Sequence, residues 1–461
     1  MTTDREDRMK IVKNVEDMVN KALLPPGSRI YASGNAATPQ VLFRQLAADT
    51  AIRDVTMMGV LFLGDVAELF DEAACRRITH RIIFNSHHTR EAANRGWAKY
   101  QLMHLGDIPM QVRDYLNPDV AMLTVAGPDN GGNYSLGTTV EGVMAAVETV
   151  RANKGLILAE RNARMPFVLG DTVPGSWIDY LLDTDYPLPV SPVQPPDEPA
   201  RRIGRIIAGL YVRDRCTIQY GIGQVPEAVT DAILEKGVKD LGIHTELFAD
   251  AMRRLVDEGV VTNRYTSTRN KFSIASIFLA SDREGYDWLN YNSAVQSRPS
   301  DYTNSILTIA NQPNMVSINS AIGVDLHGNI WADSMKARQI YSGVGGQCDF
   351  IRGANLSRGG VPIIALKSLT AKGLSKIVDM CPEGITTTAI AADPVVIVTE
   401  NGAFDPRGLS ISERAVGIAH LASPSVKDEL LKKICDSPEF HHEKGALTGG
   451  VPRGFHPYDR V

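Results

Sequence analysis

IYASGNAATPQVLFRQL (residues 30–46) and TIQYGIGQVPEAVTDAI (residues 217–233) carry the reading of the fold. Each opens with a short apolar run of strand composition, breaks at a glycine, and passes through a proline into a stretch of helical period. Gly34 aligns with Gly221, and Pro39 with Pro226, at one common offset. A second pair of segments follows in the same order, VAMLTVAGPDNGGN (120–133) and VSINSAIGVDLHGN (316–329). There Gly127, Asp129, Gly132 and Asn133 align with Gly323, Asp325, Gly328 and Asn329. Ordered matches at similar offsets predict a duplicated domain; chance likeness between βα turns is the alternative.

Around these segments, strand-like runs such as IRDVTMMGVLFLG (52–64), RIIF (81–84) and PVVIVTE (394–400) alternate with amphipathic stretches. Such alternation is expected of α/β domains with largely parallel, buried sheets. The prolines of DTDYPLPVSPVQPPDEPARR (183–202) exclude helix and central strand. The expected organisation is therefore an α/β domain over 1–185, a linker over 186–204 and a second α/β domain over 205–461. A ligand site belongs in the cleft between two such domains.

A chain of 461 residues exceeds one hydrophobic core and suits this division. Its net charge of −5 argues against a nucleic-acid partner, while a local basic pocket for a phosphorylated ligand stays compatible. No apolar run reaches bilayer length, so no membrane partner is expected. The N-terminal MTTDREDRMKIVKNVEDMVNKALL is charged, helical in pattern, and lacks a signal-peptide core. A cytoplasmic location follows. Five scattered cysteines without a CxxC pair (Cys75, Cys216, Cys348, Cys381, Cys435) suit a reducing compartment and offer no metal knuckle. The adjacent pairs His87–His88 and His441–His442 point in different directions on a regular element, so no metal is expected.

Three segments could carry chemistry. In YGIGQVPEAV (220–229), backbone N–H groups between strand and helix could meet an anion or a developing oxyanion. The same residues would equally form a plain tight turn. Pro226 stands where a dinucleotide fingerprint needs its third glycine, which disfavours a Rossmann dehydrogenase. In LGIHTELFAD (241–250), Glu246 could serve as a nucleophile at a strand end or as an electrostatic helix-start residue, and spacing does not choose. The glycine-rich YSGVGGQCDFIRGANLSRGG (341–360) reads as a ligand-facing loop.

Taken together and in order, GNAATPQVL, GIGQVPEAV, GIHTELFAD with VTN, VSINSAIGVDLHGN, GVGGQCDFIRGA, and VIVTENG with SERA resemble the acetyl-CoA hydrolase/transferase group of family I CoA-transferases. Among its members the 4-hydroxybutyrate, butyrate and itaconate CoA-transferases are nearest. The resemblance spans residues 34–415. It implies two similar open α/β domains with the active site at their interface, and a glutamyl-CoA thioester on Glu246. It places CoA and oxyanion contacts at Gly221, Ile222, Gly223, Gln224 and Val225, and a covering loop at Ser342, Gly345, Gly346 and Gln347. Asn304 would lie near the reacting carbonyl. VIVTENGAFDPRG departs from the family's usual spacing after the glutamate and leaves CoA contacts near Arg407 open.

On the acid-binding side, Met58 and Tyr100 are secondary candidates. Met57–Met58 read first as core, and Trp97, Tyr100 and His104 as a helical stripe. The implied partners are acyl-CoA, as substrate rather than tightly bound cofactor, and small carboxylic acids, in a homo-oligomer built on dimers. The reaction implied is CoA transfer from acetyl-, butyryl- or succinyl-CoA to 4-hydroxybutyrate, butyrate or itaconate. An acyl-CoA hydrolase on the same fold and a non-catalytic CoA-binding protein are the rivals.

Overall fold

The computed structural model describes residues 9–267, 271–440 and 450–461, and its two halves repeat one another. In the N-terminal half, eight strands lie in the order Lys10–Val12, Tyr180–Thr184, Leu156–Asn162, Val120–Val125, Arg29–Ala32, Val55–Val60, Ile78–Phe84, Lys99–Tyr100. Every pairing among them is parallel. In the C-terminal half, seven strands run Gly242–Ile243, Thr217–Tyr220, Met315–Ser320, Val361–Ala365, Val396–Thr399, Gly402–Phe404, Phe455–Pro457. Only the last two of these join antiparallel.

Two strands at one edge of the N-terminal sheet and one at the other, and the two antiparallel strands of the C-terminal sheet, have no counterpart. The remaining five, numbered in chain order, lie 2-1-3-4-5 in both sheets. Chance likeness of turns does not produce five strands in one shared order. This order also reverses direction between its first and third strands, and the crevice at such a reversal is where open α/β sheets bind ligands.

Side-chain alternation explains the apolar runs. Ile30, Met57 and Met122 enter one core while Tyr31, Met58 and Ala121 enter the other, on the opposite face of the sheet. With neither face left to water, successive strand residues are all apolar. The repeated Asp-Gly-Asn turns match as well. Asp129 Oδ1 accepts from the N–H of Asn133 at 2.8 Å, and Asp325 Oδ1 from that of Asn329 at 2.8 Å. Gly132 and Gly328 supply the left-handed φ each turn needs, +78° and +94°.

The first glycine of the repeat has diverged in its surroundings. A Cβ on Gly34 would lie 1.8 Å from the Val60 carbonyl oxygen, whereas one on Gly221 would meet nothing within 4 Å. The N-terminal turn is closed against its neighbouring strand; the C-terminal turn faces open space. Gly34→Ala should therefore cost about 3 kcal/mol of stability, because the obstacle is backbone and cannot swing aside. Chemical denaturation of the variant checks this.

Four expectations need correction. The N-terminal segment is not helical over its described part: Lys10–Val12 is a strand on the sheet edge, paired with Tyr180–Leu182, followed by a single turn at Val15–Asp17. Free sheet-edge groups outcompete a weak helical pattern there. The linker expected over 186–204 ends at Asp197, where helix Glu198–Leu210 begins. Asp197 caps it through the Ala200 N–H at 3.1 Å, and Pro199 is tolerated because first-turn N–H groups have no partner. The stripe Trp97, Tyr100, His104 is not helical, since Lys99–Tyr100 pairs with Arg81–Ile82 as a strand. The segment 341–360 is a loop only as far as Gly346; Gln347–Leu356 is a helix. His441–His442 lie outside the described residues. No helix among the described residues is long and apolar enough to cross a membrane.

Candidate active site

Glu246 sits just beyond the short strand Gly242–Ile243, at the carboxyl end of the C-terminal sheet. Its backbone is fixed from several directions. The N–H groups of Ser276 and Ile277 donate to its carbonyl oxygen at 3.1 and 3.0 Å. The Thr245 N–H donates to Ile274, and the His244 ring meets the Thr303 carbonyl at 2.8 Å. Burial pushes the His244 imidazole down to about 4, so it is neutral at physiological pH. With its backbone so fixed, the direction of the Glu246 carboxyl is set by its side-chain rotamer and by the groups that meet the carboxyl.

The carboxyl is held by a second set of groups. Asn304 Nδ2 donates to Oε2 at 3.1 Å, and the Gly346 N–H also points at it. Burial raises the Glu246 carboxyl above the ordinary glutamate range; Asn304 and Gly346 pull it back only in part. A partly desolvated carboxylate is less well solvated, and so more reactive toward a carbonyl carbon, than one in bulk water. A Cβ at 346 would come within 2.0 Å of both Glu246 Oε2 and Asn304 Nδ2, so any larger residue would displace one or both of these groups.

Glu246 opens onto a cavity of about 280 Å³. Of the sequence candidates, Gly221, Ile222, Val225, Ser342, Gly345, Gly346 and Gln347 line it alongside Glu246. Asn304 stands behind the carboxyl. Gly223 lines a separate cavity of about 160 Å³ beside the proline-rich segment. Gln224 is turned away: its amide donates to the Pro195 carbonyl at 2.9 Å and accepts from Lys367 Nζ at 2.6 Å. Met58 is packed into the N-terminal core. Tyr100 is half-buried, its hydroxyl has no hydrogen-bond partner among the described residues, and desolvation pushes that phenol up. Neither Met58 nor Tyr100 lines the cavity. Arg407 is engaged by Asp405 through two contacts of 2.9 and 2.7 Å.

Among the lining residues that were not site candidates, Gln219, Asn319 and Phe84 stand out. Gln219 and Asn319 end the first and third strands and exchange amide hydrogen bonds at 3.3 Å across the crevice. Both lay inside quoted segments, and their polarity in otherwise apolar strands was the available signal. Phe84, read as part of an apolar strand, lies against Gly343, whose added Cβ would fall 2.5 Å from its ring.

The glycine loop is fastened to the other half. Asn85 N–H donates to Ser342 at 3.3 Å, Leu105 N–H to Gly345 at 3.1 Å, and Arg90 Nε to Tyr341 at 2.9 Å. The Arg90 guanidinium also stacks over the Tyr341 ring at 3.9 Å. Among the described residues no three His, Cys, Asp or Glu side chains gather as a metal-ligand set.

Comparison with known proteins agrees with this arrangement. Residues 4–192 match the acetyl-CoA hydrolase/transferase N-terminal domain, and residues 282–434 the C-terminal domain of the same name. A 4-hydroxybutyrate coenzyme A transferase of Clostridium kluyveri is 36% identical over 372 residues, covering 80% of this chain and 84% of that protein. A succinyl-CoA:cyclohexane-1-carboxylate CoA transferase of Geobacter metallireducens is 32% identical, covering 93% and 95%. Among solved structures, RipA from Yersinia pestis superposes with a TM-score of 0.84 at 30% identity, covering 94% of this chain and 98% of RipA. With both domains matched, and with relatives of this identity aligned along most of their length, the chain belongs to the acetyl-CoA hydrolase/transferase family.

Proposed function

We propose that this protein transfers CoA between a short acyl-CoA and a carboxylic acid through a thioester formed on Glu246. The observation that supports this most is the setting of one partly desolvated carboxyl between two glycine turns. Gly346 and Asn304 bond it directly, and Gly221–Ile222 line the same cavity. The Glu246 carboxylate adds to the acyl-CoA carbonyl; the C–S bond breaks, giving a mixed anhydride and CoA thiolate. The thiolate then adds to the glutamyl carbonyl, and the C–O bond breaks, releasing the first acid. An incoming carboxylate runs both steps in reverse. No net proton transfer is needed. Each addition builds negative charge on an oxygen, where one fixed N–H donor contributes about 3–4 kcal/mol in acyl-transfer enzymes.

The relatives' names direct the choice of acids to 4-hydroxybutyrate, butyrate and other small carboxylates, with acetyl-, butyryl- or succinyl-CoA as donors; itaconate belongs in the same panel. Two measurements test the reading. Double-reciprocal plots at several acceptor concentrations should be parallel, because the first acid leaves before the second attacks. Acyl-CoA supplied without acceptor should let borohydride or hydroxylamine modify Glu246, found by mass spectrometry on the peptide containing residues 242–250. Modification of Cys348 with Glu246 untouched would overturn the mechanism. Rapid acyl-CoA loss unaffected by added acids would favour hydrolysis instead.

A further inference from the structure

A second carboxyl lies behind the first. Asp349 occupies the first turn of the helix Gln347–Leu356 and is 6% exposed. Its Oδ2 accepts the Gly106 N–H, from the opposite half of the molecule, at 3.1 Å. The same oxygen lies 3.4 Å from Asn304 Nδ2, the nitrogen that donates to Glu246 at 3.1 Å. The other end of that amide is also occupied, since Asn304 Oδ1 accepts the Thr303 hydroxyl at 2.9 Å. An amide nitrogen has two hydrogens, and here one is aimed at Asp349 and one at Glu246. Asn304 is 1% exposed, so its amide is shielded from bulk solvent.

We propose that Asp349 is a positioning residue for the reaction: it orients the Asn304 amide toward the reacting oxygen of Glu246 and ties that amide to the opposite half through Gly106. The proposal rests on Glu246 being the nucleophile. During the reaction the Glu246 oxygen nearest Asn304 changes from carboxylate to carbonyl to oxyanion, and the donor must keep its aim throughout. Without Asp349, the amide loses the acceptor for its second hydrogen and can turn about its last side-chain bond. Fixed donors contribute to catalysis because they need no reorganisation as charge develops.

The charge state of Asp349 fits this role. Burial first, with Glu246 and Asp107 adding to it, pushes its carboxyl up to about 7, although the Gly106 N–H and Asn304 pull the other way. The titratable groups acting on it are Glu246 from the strand end and Asp107 from the 105–107 turn, with the Cys348 thiol beside it on its own helix. None of these is a cation, and His244 is neutral through this range. Protonated, Asp349 offers a carbonyl oxygen to both donors and leaves Glu246 the charged member of the pair. As pH rises through its pKa it ionises, and a second negative charge then opposes the oxyanion forming beside it.

The test compares Asp349→Ala and Asp349→Asn in the full-length protein, with Glu246→Gln as control. Asparagine keeps a carbonyl oxygen for Gly106 and Asn304 but cannot ionise. Asp349→Ala should lower kcat about 100-fold, the effect of losing one aligned donor, with KM for acyl-CoA within about threefold. Asp349→Asn should recover most of kcat and lack the decline in activity expected of the parent protein as pH passes about 7. The proposal is overturned if Asp349→Ala keeps kcat within about threefold of the parent, or if folded Asp349→Asn is as impaired as Asp349→Ala. Should Asp349→Ala fail to fold, the Asp349→Asn profile decides, and an unchanged alkaline decline counts against the proposal. Transfer that survives in Glu246→Gln would remove the nucleophile itself. Loss there, with both Asp349 variants unaffected, would remove only the role of Asp349.

Discussion

Glu246→Gln should lose CoA transfer by on the order of 10⁴-fold or more, as enzymes do when their nucleophile is removed. Glutamine keeps the shape of the side chain and an oxygen for Asn304 and Gly346, so the cavity and CoA binding should survive. Stability should not fall either. Burial raises the Glu246 carboxyl above its unfolded value, so at pH above that value the ionised side chain opposes folding, and a neutral amide removes the opposition. The expected result is an inactive protein with a Tm equal to or above that of the parent. Glu246→Ala should be equally inactive. Substantial transfer in both variants would refute the assignment, and thermal unfolding measured alongside activity separates chemistry from folding.

Gly346→Ala should be nearly as damaging for a different reason. Its φ of −97° is open to alanine, so the backbone is not the obstacle. The obstacle is space: the added methyl would be 2.0 Å from Glu246 Oε2 and from Asn304 Nδ2, well inside ordinary contact. The carboxyl and the amide would have to separate, and the pair that holds the reacting oxygen would be lost. A fall in kcat of roughly 100- to 1,000-fold is expected, with CoA affinity little changed. Gly221→Ala provides the contrast. Beyond its chain neighbours, no described residue lies within 4 Å of a methyl there, so a loss it causes should report on the ligand and appear mainly in KM. Full activity in Gly346→Ala would mean that the observed closeness of Glu246 and Asn304 is not used in the reaction.

Much of this fold was legible because the repeated turns are written in glycine and proline, whose backbone demands survive any context. The strand–glycine–helix plan at Gly34 and Gly221 gave both domains, and the Asp-Gly-Asn turns gave their shared order. Where signals were averaged over composition they misled. The glycines of 341–360 suggested an uninterrupted loop, yet Cys348, Phe350, Ile351 and Ala354 are buried along a helix that begins at Gln347. Trp97, Tyr100 and His104 had helical spacing, but a free sheet edge claimed Tyr100. Glu246 illustrates a further limit. Its neighbours in sequence left two roles open, and only family resemblance singled it out. The groups that define its chemistry, Asn304 and Gly346, come from distant parts of the chain. Asp349, quoted within a motif, could not be told from any first-turn helix acid.

The fastening of the glycine loop to the N-terminal half bears on how such a protein can change over generations. The loop covering Glu246 is fixed from both halves: Asp333 of its own half accepts from the Tyr341 and Ser342 N–H groups, and Asn85, Arg90 and Leu105 of the other half bond it as well. Asn94 joins them, exchanging hydrogen bonds of 3.0 and 2.9 Å with the backbone of Ile340. A duplicated gene is often free to let its copies drift apart, and the closed turn at Gly34 records how far these have drifted. Along this seam that freedom ends. A replacement at Arg90 removes both the hydrogen bond to the Tyr341 carbonyl and the stacking on its ring. The two edges are therefore coupled, and a change on one alters the contacts of the other.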